Sequence, residues 1–322
     1  MNNQHKLQID KLGTPGIPGE LVLVNVFIND NTPDEVRLKD KSQRSFIVKA
    51  KLSKSPQISE RIDTSVNLEA GDSYILAHKD AIYSKLKTND GEFQVLHNKE
   101  RELSGIKYEC LATSIQEAKF FFNRSVSFYL DYISYTVNVP IFIPLTECID
   151  IKNNINAINY ICPYPRATVN PHFKNLNQAL LPIYALYREA KNSISSFYKF
   201  LCYYKILEGI FNHIRPETFK EARKNNIDLP QVKELVPKIE ELLDINNDTA
   251  GKSIKEIYDK RFTPEFRNKV AHYILDSGQI LNVSDYSTSA NFSRELLLIE
   301  ICVRIIVNNQ EKYCEQLNQK SL

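Results

Sequence analysis

The apolar residues of this chain change their spacing part-way along, and that change limits what it can fold into. Up to about residue 112 they come in short β-branched and aromatic runs bounded by turn residues; beyond about residue 175 they recur at intervals of three and four. The first pattern belongs to strands and the second to helices. The chain therefore reads as α+β. A β-rich domain with one aromatic-lined helix is expected over residues 1–165, and an all-α helical bundle over residues 175–322.

In the first part, Leu21–Ile28, Ser45–Leu52, Ser73–His78, Phe93–Leu96 and Ile106–Ala112 read as strands, with a hairpin turn at Asn89-Asp90-Gly91. They suggest a compact antiparallel sheet or sandwich through about residue 112. The run GTPGIPG near the start lacks the GK[ST] ending of a phosphate loop, and its prolines remove amide donors, so it reads as a turn. Ser114, with Glu117 three residues on, predicts a capped helix to about Val137. Its residues Ala118, Phe121, Phe122, Ser125, Phe128, Tyr129 and Tyr132 form a stripe suited to a core or a domain interface. Ile141–Ile143 lies bracketed by Pro140 and Pro144, Ala157–Ile161 is strand-like, and Cys162-Pro163-Tyr164-Pro165 is the linker candidate.

The second part begins with what reads as one helix of some 30 residues or more, from about Asn177 to His213. Shorter helices follow at about 216–226, 231–244 and 251–261. A further short helix opens at Thr263 as N-cap with Pro264 at its first position. The final helix runs from about Phe292 to Leu317, with an apolar stripe broad enough for the depth of a bundle or a dimer seam.

Composition removes several classes of function. A hydrophobic fraction of 43%, a charged fraction of 25% and a net charge of +2 describe an ordinary globular chain, not a polymer binder built on bulk positive charge. No signal core and no run of about 18 apolar residues occurs, which points to the cytoplasm and to no membrane partner. The six cysteines form no CxxC pair and read as free, mostly buried thiols; the six histidines give no HExxH. No GxSxG elbow is present. No metal and no cofactor is expected.

One polar constellation is left, in the run TPEFRNKVAHYILDSG. At roughly 100° per residue, Phe266, Val270, Tyr273 and Ile274 share a face suited to burial, and Gly278 offers a C-terminal stop. Arg267, Ala271, Leu275, Asn268 and His272 fall, in that order, on the other side. A guanidinium, a carboxamide and an imidazole then surround a small residue, a grouping able to bind a phosphate and move a proton. The alternative is structural: His272 bonded to a backbone carbonyl or to Glu208, and Arg267 held in an ion pair.

An Arg followed directly by a polar residue, with a His five positions after the Arg, on a helix of an all-helical C-terminal domain, resembles the HEPN superfamily. The resemblance covers roughly residues 175–320. The β-rich half ahead of it is similar in architecture to the ApeA-like and methylamine-utilisation-J-like members. Toxin members often carry a Tyr two positions after the His; here Tyr273 is adjacent and Ile274 takes that place.

The resemblance implies a metal-independent endoribonuclease acting as a homodimer on RNA, with Arg267, Asn268 and His272 as catalytic residues and Glu208 as a candidate to orient Arg267. It also implies a toxin or antiviral-defence role, with a protein or phage trigger read by the first domain. The other outcome open to such a domain is a non-catalytic interaction or RNA-binding module in a larger assembly.

Overall fold

The computed structural model describes residues 6–8, 13–25, 31–53, 61–63, 65–68, 75–76, 85–164, 177–271 and 282–320. The chain divides into two compact units, Met1–Arg166 with Ser284–Ser287, and Ala167–Val283 with Thr288–Leu322. The fold is α+β: the first unit carries antiparallel sheet and the second is helical.

In the first unit, β1 (Lys6–Gln8) pairs in a separate short ladder with β4 (Arg61–Asp63). A seven-stranded antiparallel sheet is built from β2 (Pro18–Val24), β3 (Arg44–Ser53), β5 (Leu86–Lys87), β6 (Gly91–His97), β7 (Leu103–Ala112), β8 (Phe142–Asp150) and β9 (Ile155–Ile161). Its spatial order is β2-β9-β8-β3-β7-β6-β5. A short helix, α1 (Asp34–Lys39), leads into β3, and α2 (Ile115–Val137) separates β7 from β8. The turn before β2 is a plain one. Ile17 N bonds Thr14 O, with Pro15 next and Gly16 at φ +75°, the geometry in which only the third residue needs a positive φ.

The sheet therefore does not end near residue 112. Two of its inner strands come after α2, and Pro144 and the polar residues of β8 disguise the first of them. Pro144 sits where the β3–β8 register shifts and before the β8–β9 ladder begins at Leu145, so its missing N–H leaves no gap in the pairing. Glu147 in mid-strand is fully buried because three donors meet it: Lys49 Nζ at 3.1 Å, Val66 N at 3.1 Å and Asn156 Nδ2 at 3.0 Å. Of the predicted strands, Val26–Ile28 and most of Ser73–His78 lie outside the described residues; Leu76 forms a bridge with Glu102.

Helix α2 covers one face of the sheet. Ser114 caps it, accepting from Glu117 N at 3.2 Å, while the Glu117 carboxylate takes Thr113 N at 2.6 Å, one residue earlier than a regular capping box. Ala118, Phe122, Val126 and Leu130 are buried against β3 and β7, with the Phe122 and Tyr108 rings 6.0 Å apart. Each large side chain buried here contributes on the order of 1.5–3 kcal/mol. The aromatic stripe is split, however: Phe128 and Tyr132 stay 59% and 66% exposed.

The helical unit comprises α3 (Leu181–Asn192), α4 (Ser196–Gly209), α5 (Arg215–Lys224), α6 (Glu240–Asn246), α7 (Ile254–Ile257), α8 (Asn268–Ala271) and the long α9 (Tyr286–Lys320). The single long helix expected from Asn177 is broken at Ser193–Ser195. Ser193 turns to ψ 141°, its hydroxyl accepts Ser195 N at 3.1 Å, and Ser195 caps α4 by accepting Tyr198 N at 3.3 Å. Serines so close together offer the backbone local partners that compete with the helix. The two helices pack side by side, Tyr187 and Tyr203 rings 5.7 Å apart.

The helix expected over 231–244 is largely extended chain instead. Val236 N bonds Lys252 O and Ile254 N bonds Glu234 O. Pro230 and Pro237 remove amide donors and bias the residues before them away from helix. Only α6 forms. The broad stripe of α9 is covered within the chain: Leu296, Leu298, Ile299, Cys302, Val303 and Ile306 are all buried.

Candidate active site in the helical unit

Arg267 and Asn268 lie at the junction of a wide helical stretch and α8. The helix that begins at Ile254 does not stop at Thr263. It continues through a π-type stretch, Tyr258–Arg267, into Asn268–Ala271. The expected N-cap at Thr263 is thus overturned, and Pro264 lies inside the helix. A proline in a regular helix clashes with the carbonyl four residues back; a wider turn, bonded five residues apart, gives the ring room. A second wide stretch, Ile210–Ile214, joins α4 to α5 just before Pro216. The two stretches meet through Phe211 and Tyr258, whose ring centroids are 5.3 Å apart.

The register of this helix follows from its apolar residues. Ile254, Tyr258, Phe262, Phe266 and Val270 are spaced by four throughout. In a regular helix that spacing drifts by about 40° per step, some 160° over the series. The widened turn offsets the drift, so Ile254, Tyr258 and Phe262 are buried and Phe266 and Val270 half-buried. Phe262 and Phe266 join a cluster with Phe200 of α4 and Phe292 of α9, at centroid distances of 5.2–5.8 Å. That cluster fixes the residue immediately before Arg267.

Arg267 and Asn268 are both half-buried, and Arg267 Nη1 donates to Asn268 Oδ1 at 3.1 Å. The Asn268 backbone N–H donates to Thr263 O, five residues back. The guanidinium takes one lone pair of Asn268 Oδ1, and the pair keeps the remaining guanidinium N–H groups and the carboxamide NH₂ as donors. A surface on which donors outnumber acceptors suits an anion.

Nearby, Arg261 holds the buried Glu295 through Nε at 3.0 Å and Nη2 at 2.6 Å, and also reaches Asp248 at 3.1 Å and Asn246 at 2.9 Å. Burial pushes the Glu295 carboxyl above the usual range, and Arg261 offsets part of that rise.

His272, the residue expected to move a proton, lies outside the described residues, as do Tyr273, Ile274, Leu275 and Gly278. Glu208 is on α4, where it accepts from Lys205 Nζ at 2.6 Å. Among the described residues the side-chain hydrogen bond of Arg267 goes to Asn268 and that of Glu208 comes from Lys205. The charge of Glu208 bears instead on Tyr258, whose hydroxyl is pushed up chiefly by burial.

Among the described residues no group of three or more His, Cys, Asp and Glu side chains could hold a metal ion, and no helix is long and apolar enough to cross a membrane. All six cysteines are free and buried; burial raises the thiols of Cys110 and Cys302 to about 12.

Sequence reasoning missed the hydroxyl cluster beside this site. The Tyr204 hydroxyl donates to the Tyr258 hydroxyl at 3.1 Å and lies 3.1 Å from Thr263 Oγ1, which itself donates to Tyr258 O at 2.8 Å. The four-residue apolar spacing running unbroken through Pro264 was the signal that Thr263 belongs to a helix interior.

Neither the curated proteins nor the solved structures yield a match to this chain. Residues 183–308, from α3 through Arg267 and Asn268 into α9, match the family described as methylamine utilization protein MauJ, and in that stretch the chain is similar to MauJ.

Proposed function

We propose that the helical unit is a metal-independent endoribonuclease of the HEPN type, working in the cytoplasm as a homodimer. The observation that carries this reading is the Arg267–Asn268 pair: with Asn268 Oδ1 turned to Arg267, it offers guanidinium and carboxamide donors to a phosphodiester. The resemblance of Arg267, Asn268 and His272 to the HEPN motif, within the stretch that is similar to MauJ, supports the same reading.

In the proposed reaction the ribose 2′-oxygen attacks the adjacent phosphorus and the bond from phosphorus to the 5′-oxygen breaks. One imidazole takes the 2′ proton and another returns a proton to the leaving oxygen, His272 being the residue with a suitable ordinary pKa. A single chain brings one such histidine to the motif, so the second belongs to the other copy. Arg267 neutralises the charge that develops on the non-bridging oxygens, and Asn268 hydrogen-bonds to them. DNA has no 2′-hydroxyl and is not a substrate by this route. The β-rich unit would then receive the trigger, as in a defence effector.

End-group analysis tests the reading. Single-stranded RNA incubated with the protein in EDTA should yield 2′,3′-cyclic phosphate and 5′-hydroxyl ends. Products bearing 5′-phosphate ends would overturn it, and so would RNA left uncut by the dimer.

A further inference from the structure

We propose that Tyr204 and Thr263 are positioning residues for the Arg267–Asn268 pair, an inference that rests on the ribonuclease reading. The link runs through one residue. Thr263 O accepts the Asn268 backbone N–H, and Asn268 Oδ1 in turn accepts Arg267 Nη1 at 3.1 Å. Thr263 itself is held from its hydroxyl, which donates to Tyr258 O at 2.8 Å and meets the Tyr204 hydroxyl at 3.1 Å.

This bond matters because Pro264 follows at once and supplies no N–H to the helix. At that point the stretch is fastened by a side chain, and the fastening reaches α4 through Tyr204, which is 2% exposed and stacked on Tyr258 with centroids 5.1 Å apart. Neither hydroxyl needs to touch RNA. Their role is to set where the donors of Arg267 and Asn268 stand, and small displacements of positioned groups cost rate more than affinity.

The test compares Thr263→Val, Thr263→Ser and Tyr204→Phe with the wild type in full-length protein. At saturating RNA, Thr263→Val and Tyr204→Phe should cleave about tenfold more slowly, with KM within about twofold. Thr263→Ser, which keeps the hydroxyl, should cleave at close to the wild-type rate. Amide hydrogen exchange supplies a readout independent of activity: Asn268 should exchange faster in Thr263→Val and not in Thr263→Ser.

Faster exchange at Asn268 with an unchanged cleavage rate would overturn the positioning role while leaving the ribonuclease reading intact. If the wild-type protein does not cleave RNA, that reading fails, and the positioning role for cleavage fails with it. Unchanged exchange at Asn268 in both Thr263→Val and Tyr204→Phe would overturn the link on its own.

Discussion

Arg267 donates to the side-chain oxygen of its own neighbour, Asn268, at 3.1 Å, so two consecutive residues act as a single donor group. The contact does two things at once. It turns the carboxamide oxygen towards the guanidinium and leaves the carboxamide NH₂ as a donor.

Substitutions at this pair should separate charge from shape. Arg267→Lys keeps the charge and loses the planar fork, and is expected to lower kcat/KM by about 10²-fold. Asn268→Asp puts a carboxylate where a donor stood; it should bind Arg267 more tightly and cleave RNA about tenfold or more slowly. Single-turnover kinetics on a short single-stranded RNA measures both. An Asn268→Asp enzyme as fast as wild type would argue against contact with phosphate.

A composite site makes a quantitative demand on mixed oligomers. If each active centre needs two copies of His272, mixing wild-type and His272→Ala chains under subunit exchange should leave activity proportional to the square of the wild-type fraction. A linear fall would mean that each chain cleaves alone.

Arg261 and Glu295 form an ion pair near the site, with Glu295 4% exposed. Removing one partner leaves a charge in a low-dielectric setting. Arg261→Met should cost about 3 kcal/mol in urea unfolding. The double variant Arg261→Met with Glu295→Leu should recover much of that loss. Additive losses in the cycle would show that the two side chains do not act as a pair.

Lys199 on α4 is buried, and burial lowers its ammonium to about 8, with Lys191 adding to the fall and Glu300 opposing it. For a base with a depressed folded-state pKa, the unfolded chain binds more protons between the two values. Its contribution to stability therefore rises with pH, from about 8 towards the ordinary value of 10.5. Lys199→Met should gain most over wild type below pH 8, and the gain should shrink as pH climbs towards 10. Urea midpoints at pH 7.5 and 9.5 measure this; a constant difference would contradict it.

The two-part α+β organisation was legible in the spacing of apolar residues, because both units obey the simple periods where their cores lie. Ser114 and Glu117 announced α2, and Phe46, Val48, Ile106 and Tyr108 alternate into the core as expected. The errors arose where side chains replace backbone signals. Glu147 hid β8, since a carboxylate in mid-strand reads as solvent-facing until Lys49 and Asn156 are seen to meet it. Ser193 and Ser195 broke a helix whose apolar period runs straight through them.

At the site, Arg267 and Asn268 could be placed on one helix face from the sequence, but the hydrogen bond between them could not. Nor could the wide turn beneath them, because Thr263-Pro264 has the form of a helix start. The four-residue apolar spacing across Pro264 is the one sequence sign against that start, and the partners of the Thr263 hydroxyl, on residues five and fifty-nine positions away, agree with it.

Cleavage by this route depends most directly on His272. Purified wild-type protein and its His272→Ala variant, matched in Tm and oligomeric state, should be compared on single-stranded RNA in EDTA. We expect wild type to leave 2′,3′-cyclic ends and His272→Ala to be slower by about 10²-fold or more, the scale of a lost general acid or base. Equal cleavage by the two proteins would contradict the assignment.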